Sequence, residues 1–246
     1  MGREMRVIIP AAGVGSRLRP YTEEAPKALV PIAGTPLIWH TMRRLAKAKV
    51  SEVVVVCGYM SELLRASLVA CPDAPPLRFV ENPDFASTNS IVSLALTRPF
   101  WDEPFCVIDG DVLVSCDLLR RMLDSPRDVL AVDTSKSYAD IDMKVRIQDG
   151  RAVDFGKDLE PSARQGEFFG VSRWSGANAA RFSSAIDEML AEGRVGDWYE
   201  FAMRKLAIER GLDVLDATSS EWAEVDSAED IPAATTLVER DEVSFR

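Results

Sequence analysis

The chain is poor in the side chains that most metalloenzymes and acid–base enzymes rely on. Of its 246 residues one is a histidine, His40, which excludes a multi-histidine metal site and leaves little room for a histidine base. It lies on an expected helix, where a packing or surface role suits it better. Four cysteines, Cys57, Cys71, Cys106 and Cys116, are widely spaced with no C-x-x-C pair. That argues against zinc and redox motifs and reads as four reduced thiols of a cytoplasmic protein. No apolar run approaches the length of a membrane span, and the start, MGREMRVIIP, has no long apolar segment or cleavage pattern. Neither a membrane partner nor export is expected. A formal net charge of −10 argues against a nucleic-acid surface, which normally shows a basic patch. It leaves room for a nucleotide, since a local basic pocket can sit inside an acidic shell.

What is present is an ordinary globular composition, 47% hydrophobic and 28% charged, in a length that suits one domain, alone or with a modest subdomain. Apolar runs at 7–9, 53–57, 77–80, 105–108 and 129–132 read as buried strands. Helical spacing follows them at 37–48, 61–69, 91–96 and 118–123. This alternation implies a mainly parallel sheet with helices on both faces. Residues 143–154 alternate and break at Asp149-Gly150, a strong hairpin signal. Residues 167–174 read as a strand, with helices expected from 175 or 176 to about 190 and from about 196 to 208. Trp222 and Val225 flank a last strand before a helix at 228–238. The tail, DEVSFR, carries no structural signal.

Chemistry concentrates in the stretch IPAAGVGSRLRPYTEEAPKAL, residues 9–29. Small residues after a strand, Ala11, Ala12, Gly13, Gly15 and Ser16, let a ligand approach the backbone, and successive N–H groups form an anion-binding concavity. Arg17 and Lys27 add fixed positive charge, as a triphosphate site requires. The stretch is neither a P-loop, whose G-x-x-x-x-G-K-[ST] is missing, nor a dinucleotide fingerprint, because Leu18 stands where a third glycine belongs. Alone, G-x-G-x-R is more often a strand-to-helix turn with a surface Arg and Lys. Asp111 of the Asp109-Gly110-Asp111 step falls just after a strand, where α/β sheets bind ligands and a carboxylate can hold magnesium, though on its own the step is equally a turn with no metal. Ser87, Thr88 and Asn89 either cap the following helix or line a nucleotide pocket.

The run A-A-G-x-G-S-R-L-x-P, then P-K-A-L, Pro31 and Gly34-Thr35-Pro36-Leu37, resembles the signature of the sugar-phosphate nucleotidylyltransferase superfamily. Later segments look most like its cytidylyltransferases that act on phosphocholine or 2-aminoethylphosphonate. The resemblance implies a nucleotide-diphospho-sugar transferase-like α/β fold: a Rossmann-like, mostly parallel (mixed) sheet with helices on both faces. A small β-rich acceptor-binding lobe, roughly residues 134–200, is implied within a single domain over 1–246. It implies Mg2+ as cofactor, held by Asp111 and by Asp226 of the pattern W-x-E-[IV]-D-[ST]-x-E-D, and CTP as donor. Arg17 and Lys27 take the catalytic roles, and Tyr59, Ser87 and Asn89 join the opening loop in holding the nucleotide. Lys144, Lys157, Glu167, Gly170, Tyr199 and Glu200 are implied around the acceptor, with Tyr199 and Glu200 offering an aromatic face and a carboxylate to an ammonium group. Trp198 is expected to pack on the core. Where the choline enzymes place a tryptophan on the hairpin arm this chain has Met143-Lys144, which counts against choline itself. A sugar-1-phosphate nucleotidylyltransferase making a UDP- or dTDP-sugar shares the opening motif, and a catalytically silent nucleotide-binding module is the alternative of another class. A homodimer is left open.

Overall fold

The computed structural model describes residues 5–135 and 143–243. Residues 136–142, the first part of the expected lobe, lie outside the described residues, as do 1–4 and 244–246.

In chain order, β1 (Arg6–Pro10) leads through the opening loop to a small hairpin, β2 (Pro31–Ile32) and β3 (Thr35–Pro36), and to α1 (Leu37–Lys47). There follow β4 (Glu52–Cys57), α2 (Ser61–Val69), β5 (Leu77–Glu81), α3 (Ser90–Ala95), β6 (Phe105–Ile108), β7 (Val112–Val114), α4 (Cys116–Asp124) and β8 (Val129–Asp133). The second half holds β9 (Met143–Gln148), β10 (Arg151–Gly156), β11 (Gly166–Trp174), α5 (Gly176–Ala191), α6 (Glu200–Arg210), β12 (Leu212–Ala217), β13 (Trp222–Glu224) and α7 (Ile231–Val243).

Nine strands form one mixed sheet in the order β5-β4-β1-β6-β11-β8-β12-β10-β9. The first four are mutually parallel, as the βαβ alternation predicts. Strand β11 runs antiparallel to both β6 and β8, and its first residues also pair with β9. The pairings of β11, β8, β12, β10 and β9 therefore close into a ring beside the parallel half.

Alternation along the strands divides the core. Val7, Ile9, Val53 and Val55 face Ile38, Met42, Leu64 and Leu118 of α1, α2 and α4. Ile8 and Val54 face Ile91, Leu94, Phe182 and Met203 of α3, α5 and α6. Helices thus cover both faces. A third apolar cluster seats Ala234, Leu237 and Val238 of α7 on Leu113, Ile32 and Leu37.

Four features depart from the expectations. Strands β7 and β12 and the β2–β3 hairpin had no counterpart in the apolar runs. The last helix begins as a 3-10 turn, Ala228–Asp230, and continues through Val243, so part of the tail is helical. Its Asp241 accepts hydrogen bonds from Arg44 Nε at 3.1 Å and Nη2 at 3.0 Å, tying α7 to α1. His40 is buried with Nε2 2.9 Å from the Ile32 carbonyl oxygen, a packing role. Burial pushes the Cys57 and Cys106 thiols up, to about 11 and about 12, which keeps them unreactive.

Candidate active site

Strand β1 ends at Pro10 and the chain turns outward at the carboxyl edge of the parallel strands. Ala11 donates to Val56 O at 3.0 Å, and Ala12 O accepts from the Tyr59 N–H at 3.0 Å, so the loop is pinned to the end of β4. Beyond that anchor, the N–H groups of Gly13, Val14 and Gly15 find no hydrogen-bond partner among the described residues. They form the concavity expected for an anion. Gly15 has φ +67°, and a Cβ there would stand 2.8 Å from Lys27 Cβ, so glycine lets the two ends of the loop close on each other.

The acids arrive from elsewhere. Asp109-Gly110-Asp111 links β6 to β7, and β7 pairs antiparallel with β13 so that Val112 lies opposite Glu224. That register, with Val225 N–H donating to Asp111 O at 3.0 Å, brings Asp111 beside Asp226 although they are far apart in sequence. Asp230 closes a capping box on Ser227 and also accepts from the Asp226 N–H at 2.9 Å, which fixes the backbone carrying Asp226.

Lys27 and these acids meet at one point. Lys27 Nζ lies 2.5 Å from Asp111 Oδ2 and 2.5 Å from Asp226 Oδ1, while Arg17 reaches Asp226 Oδ2 at 2.6 Å. Burial works against the charged Lys27 ammonium, but Asp111 and Asp226 outweigh it and hold its pKa above the ordinary value. Burial likewise raises Asp226, yet Lys27 and Arg17 win and hold it low. Glu224, which gains less from these cations, is driven up to about 9 by burial and by the charges of Asp111 and Asp226. Asp111, Glu224 and Asp226 offer carboxylate oxygens that all lie within 4.8 Å of one another. Three carboxyl groups this close suit a small divalent cation, which would hold Glu224 in its ionised form as well. Glu224 was missed as a candidate; its signal was its place inside the W-x-E-[IV]-D pattern.

A cavity of about 420 Å³ runs from the opening loop to the β9–β11 region. It is lined by Ala11, Ala12, Gly13, Gly15, Ser16, Arg17, Lys27, Asn89, Asp111, Lys157, Glu167, Gly170, Glu200 and Asp226 among the expected residues. Asn89 has both placements considered for it. Its side chain caps α3 by accepting from Ser90 N–H at 2.8 Å, donates to Gly196 O at 3.2 Å, and faces the cavity.

Four expected residues stand outside the lining. The Tyr59 hydroxyl donates to Thr22 O at 3.0 Å, so Tyr59 braces the loop from behind. Ser87 turns back to Asp84 O, and Thr88 lines the cavity in its place. Lys144 is fully buried where a surface lysine was the simpler expectation, and it donates to Lys157 O at 3.0 Å. Tyr199 is also fully buried. Its hydroxyl donates to Asp109 Oδ1 at 2.9 Å and its ring packs edge-on to Phe182, so it offers no face to an acceptor. Trp198 does line the cavity, contrary to the core position expected for it, together with Phe85, Phe168 and Phe169. Lys157 Nζ sits 4.3 Å from the centre of the Trp198 ring.

Asp109 forms the floor between the two halves. It is held well above the ordinary carboxylate range by burial first and then by the charges of Glu200 and Asp111. Gly170, at φ +80°, passes directly over it; a Cβ there would stand 2.4 Å from Asp109 Oδ2.

A family model described as the MobA-like NTP transferase domain matches residues 7–194. The CMP-5′-(3-aminopropyl)phosphonate synthase of Streptomyces rubellomurinus is 30% identical over 239 residues, which are 92% of this chain but 37% of that protein's length. The choline-phosphate cytidylyltransferase of Streptococcus pneumoniae is 30% identical over 235 residues, 92% of this chain and 95% of its own. Among solved structures, the CTP:phosphocholine cytidylyltransferase of the same bacterium matches with a TM-score of 0.80 at 25% identity, over 98% of this chain and 100% of that one. The chain belongs to the MobA-like NTP transferase family of nucleotidyltransferases.

Proposed function

We propose that the protein is a magnesium-dependent cytidylyltransferase that transfers CMP from CTP to a small phosphorylated or phosphonate acceptor and releases pyrophosphate. The observation that carries the reading is the meeting of Lys27 with Asp111 and Asp226 under the opening loop, in the cavity that also reaches Lys157, Glu167 and Glu200. The names of the similar proteins, an aminopropylphosphonate and a choline-phosphate enzyme, support CTP chemistry on an acceptor of this kind.

In this reading the free N–H groups of Gly13, Val14 and Gly15, with Arg17, take the β- and γ-phosphates. Lys27 leaves its carboxylates for the α-phosphate as the nucleotide enters. Asp111, Glu224 and Asp226 would hold Mg2+, which when bound cancels charge on the phosphates. Lys157 approaches the acceptor's anionic group. An acceptor oxygen attacks the α-phosphorus in line, that P–O bond forms, and the bond to the β-phosphate bridge breaks as pyrophosphate leaves with the electron pair. The attacking oxygen is already anionic near neutral pH, so no general base is required. Positioning and charge cancellation carry the rate. Four free thiols and a nucleotide substrate fit a cytoplasmic enzyme.

The test is pyrophosphate release with each of the four NTPs against a panel of acceptors. CTP with a phosphocholine- or aminoalkylphosphonate-type acceptor is the expected pair. Turnover with dTTP or UTP and a hexose 1-phosphate, but not with CTP, would overturn the reading.

A further inference from the structure

Lys157 lines the cavity from an exposed turn, where a lysine ordinarily keeps most of its rotamer freedom. This one is held. Strand β10 ends at Gly156, and Lys157 and Asp158 follow it directly. Arg204, in the second turn of α6, bridges that step. Its Nε donates to Asp154 Oδ1 at 2.7 Å, and its Nη1 donates to Asp158 Oδ1 at 2.8 Å and Oδ2 at 3.1 Å. One rigid planar fork therefore joins a carboxylate before Lys157 to a carboxylate after it. Gly156 makes the room: a Cβ there would stand 2.4 Å from Asp158 Oδ1 and 2.9 Å from Arg204 Nη1. A further tie comes from β9, where the fully buried Lys144 donates through Nζ to Lys157 O at 3.0 Å.

The outcome is a fixed direction for the Lys157 side chain. Trp198, two residues before α6, lines the cavity and has the Lys157 ammonium over its ring at 4.3 Å. Arg204 thus fastens the turn that carries the ammonium to the helix whose approach carries its aromatic seat. Asp158 is exposed, and ion pairs of that kind add little to stability. The effect of the fork lies in where it puts Lys157, since a small misplacement far from the chemistry can be costly in rate.

We propose that Arg204 is a positioning residue: by bridging Asp154 and Asp158 it holds the 156–158 turn against α6 and keeps the Lys157 ammonium over Trp198, aimed at the acceptor's anionic group. This rests on the cytidylyltransferase reading above. Arg204 does not line the cavity, so it acts through Lys157 and not on a reactant.

The experiment is a double-mutant cycle on Arg204→Met and Lys157→Met, read as acceptor KM and kcat at saturating CTP, with phosphocholine and 2-aminoethylphosphonate as acceptors. Arg204→Met is expected to raise the acceptor KM about 10-fold, the scale of one charge-assisted hydrogen bond, and to leave the Kd of CTP by calorimetry unchanged. Adding Arg204→Met to Lys157→Met should cost nothing more. Arg204→Lys keeps the charge but cannot span both carboxylates, and should not restore the wild-type KM. Asp158→Ala, at an exposed residue, covers the case in which Arg204→Met does not fold, and should move the acceptor KM the same way by a smaller factor. Equal losses for CTP and acceptor, or additive costs in the double variant, overturn the assignment and leave the cytidylyltransferase reading intact. A second readout is independent of turnover. Acetic anhydride labelling resolved by mass spectrometry should modify Lys157 faster in Arg204→Met and in Asp158→Ala than in the wild type, with exposed Lys49 as the internal control. Unchanged labelling of Lys157 overturns the proposal. Absence of pyrophosphate release from CTP with every acceptor overturns the cytidylyltransferase reading, and the labelling still decides whether Arg204 holds Lys157.

Discussion

Lys27 bridges Asp111 and Asp226, two of the carboxylates that would hold a divalent cation in the proposed reading, and this has a measurable consequence. In the free protein its ammonium makes two charge-assisted hydrogen bonds, both at 2.5 Å, with side chains that are 15–25% exposed. Each such bond is worth about 1.5–3 kcal/mol. A divalent cation entering without nucleotide must displace both, and the released ammonium has no phosphate to receive it. Rehydration of Lys27 recovers part of the loss, leaving a penalty of about 1.5–3 kcal/mol, half the gross figure. At about 1.4 kcal/mol per tenfold, metal affinity of the free protein is lowered roughly 10- to 100-fold. Lys27→Met keeps the length of the side chain and removes the charge. Calorimetric titration of the nucleotide-free protein with Mg2+ or Mn2+ should therefore show tighter binding in the variant by that factor. Turnover should move the opposite way, falling by about 10³ or more, since a cation on the phosphates is lost. Unchanged or weaker metal binding by a folded Lys27→Met protein would refute the idea that ammonium and metal compete for one position.

Further outcomes follow from the same site. Because Glu224 is held up at about 9, metal binding near neutral pH should release close to one proton, and affinity should climb with pH and level off near that value. Calorimetry in buffers of different ionisation enthalpy reads this directly, and a pH-independent affinity would count against Glu224 as a ligand. For the metal-free protein the sign is fixed by the raised folded-state value. The contribution of Glu224 to stability is complete below its ordinary pKa of 4.5 and is lost as pH rises toward about 9. Glu224→Gln should therefore stabilise the metal-free protein at pH 8, by roughly 2–8 °C in Tm, and do little at pH 4. Gly170→Ala must place a methyl against Asp109 Oδ2 at a positive φ, and should cost about 2–4 kcal/mol in a denaturant melt. A neutral result there would mean that β11 does not pass over Asp109 as described.

Much of this arrangement was legible in the chain. Continuous valines at 53–56 could only be a doubly covered strand, and Asp149-Gly150 forms its hairpin with both residues at positive φ. The opening loop and the two aspartates were readable because their spacing is long and specific. The failures have physical causes. Strand β7 is only three residues long and follows a turn, so no periodicity can develop in it. Lys144 sits on a strand that curls into the ring closed by β11, where one more neighbour covers what alternation alone leaves outside. At the start of α6, Trp198 and Tyr199 are consecutive, and one residue of helix rotation decides which ring turns inward. That choice is made by Phe182 and Asp109, which lie far off in sequence. Glu224 was hidden because a lone acid in a short strand looks like an ordinary edge residue until the partner strand brings Asp111 alongside it.

The most direct measurement is a crystal structure of the protein with Mn2+ and a non-hydrolysable CTP analogue, read by its anomalous difference map. The account predicts one peak bridging Asp111 and Asp226 within reach of Glu224, with Lys27 shifted onto the α-phosphate and the triphosphate lying on Gly13 to Arg17. A triphosphate bound away from that loop, or a metal peak elsewhere with Lys27 still between the two aspartates, would contradict it.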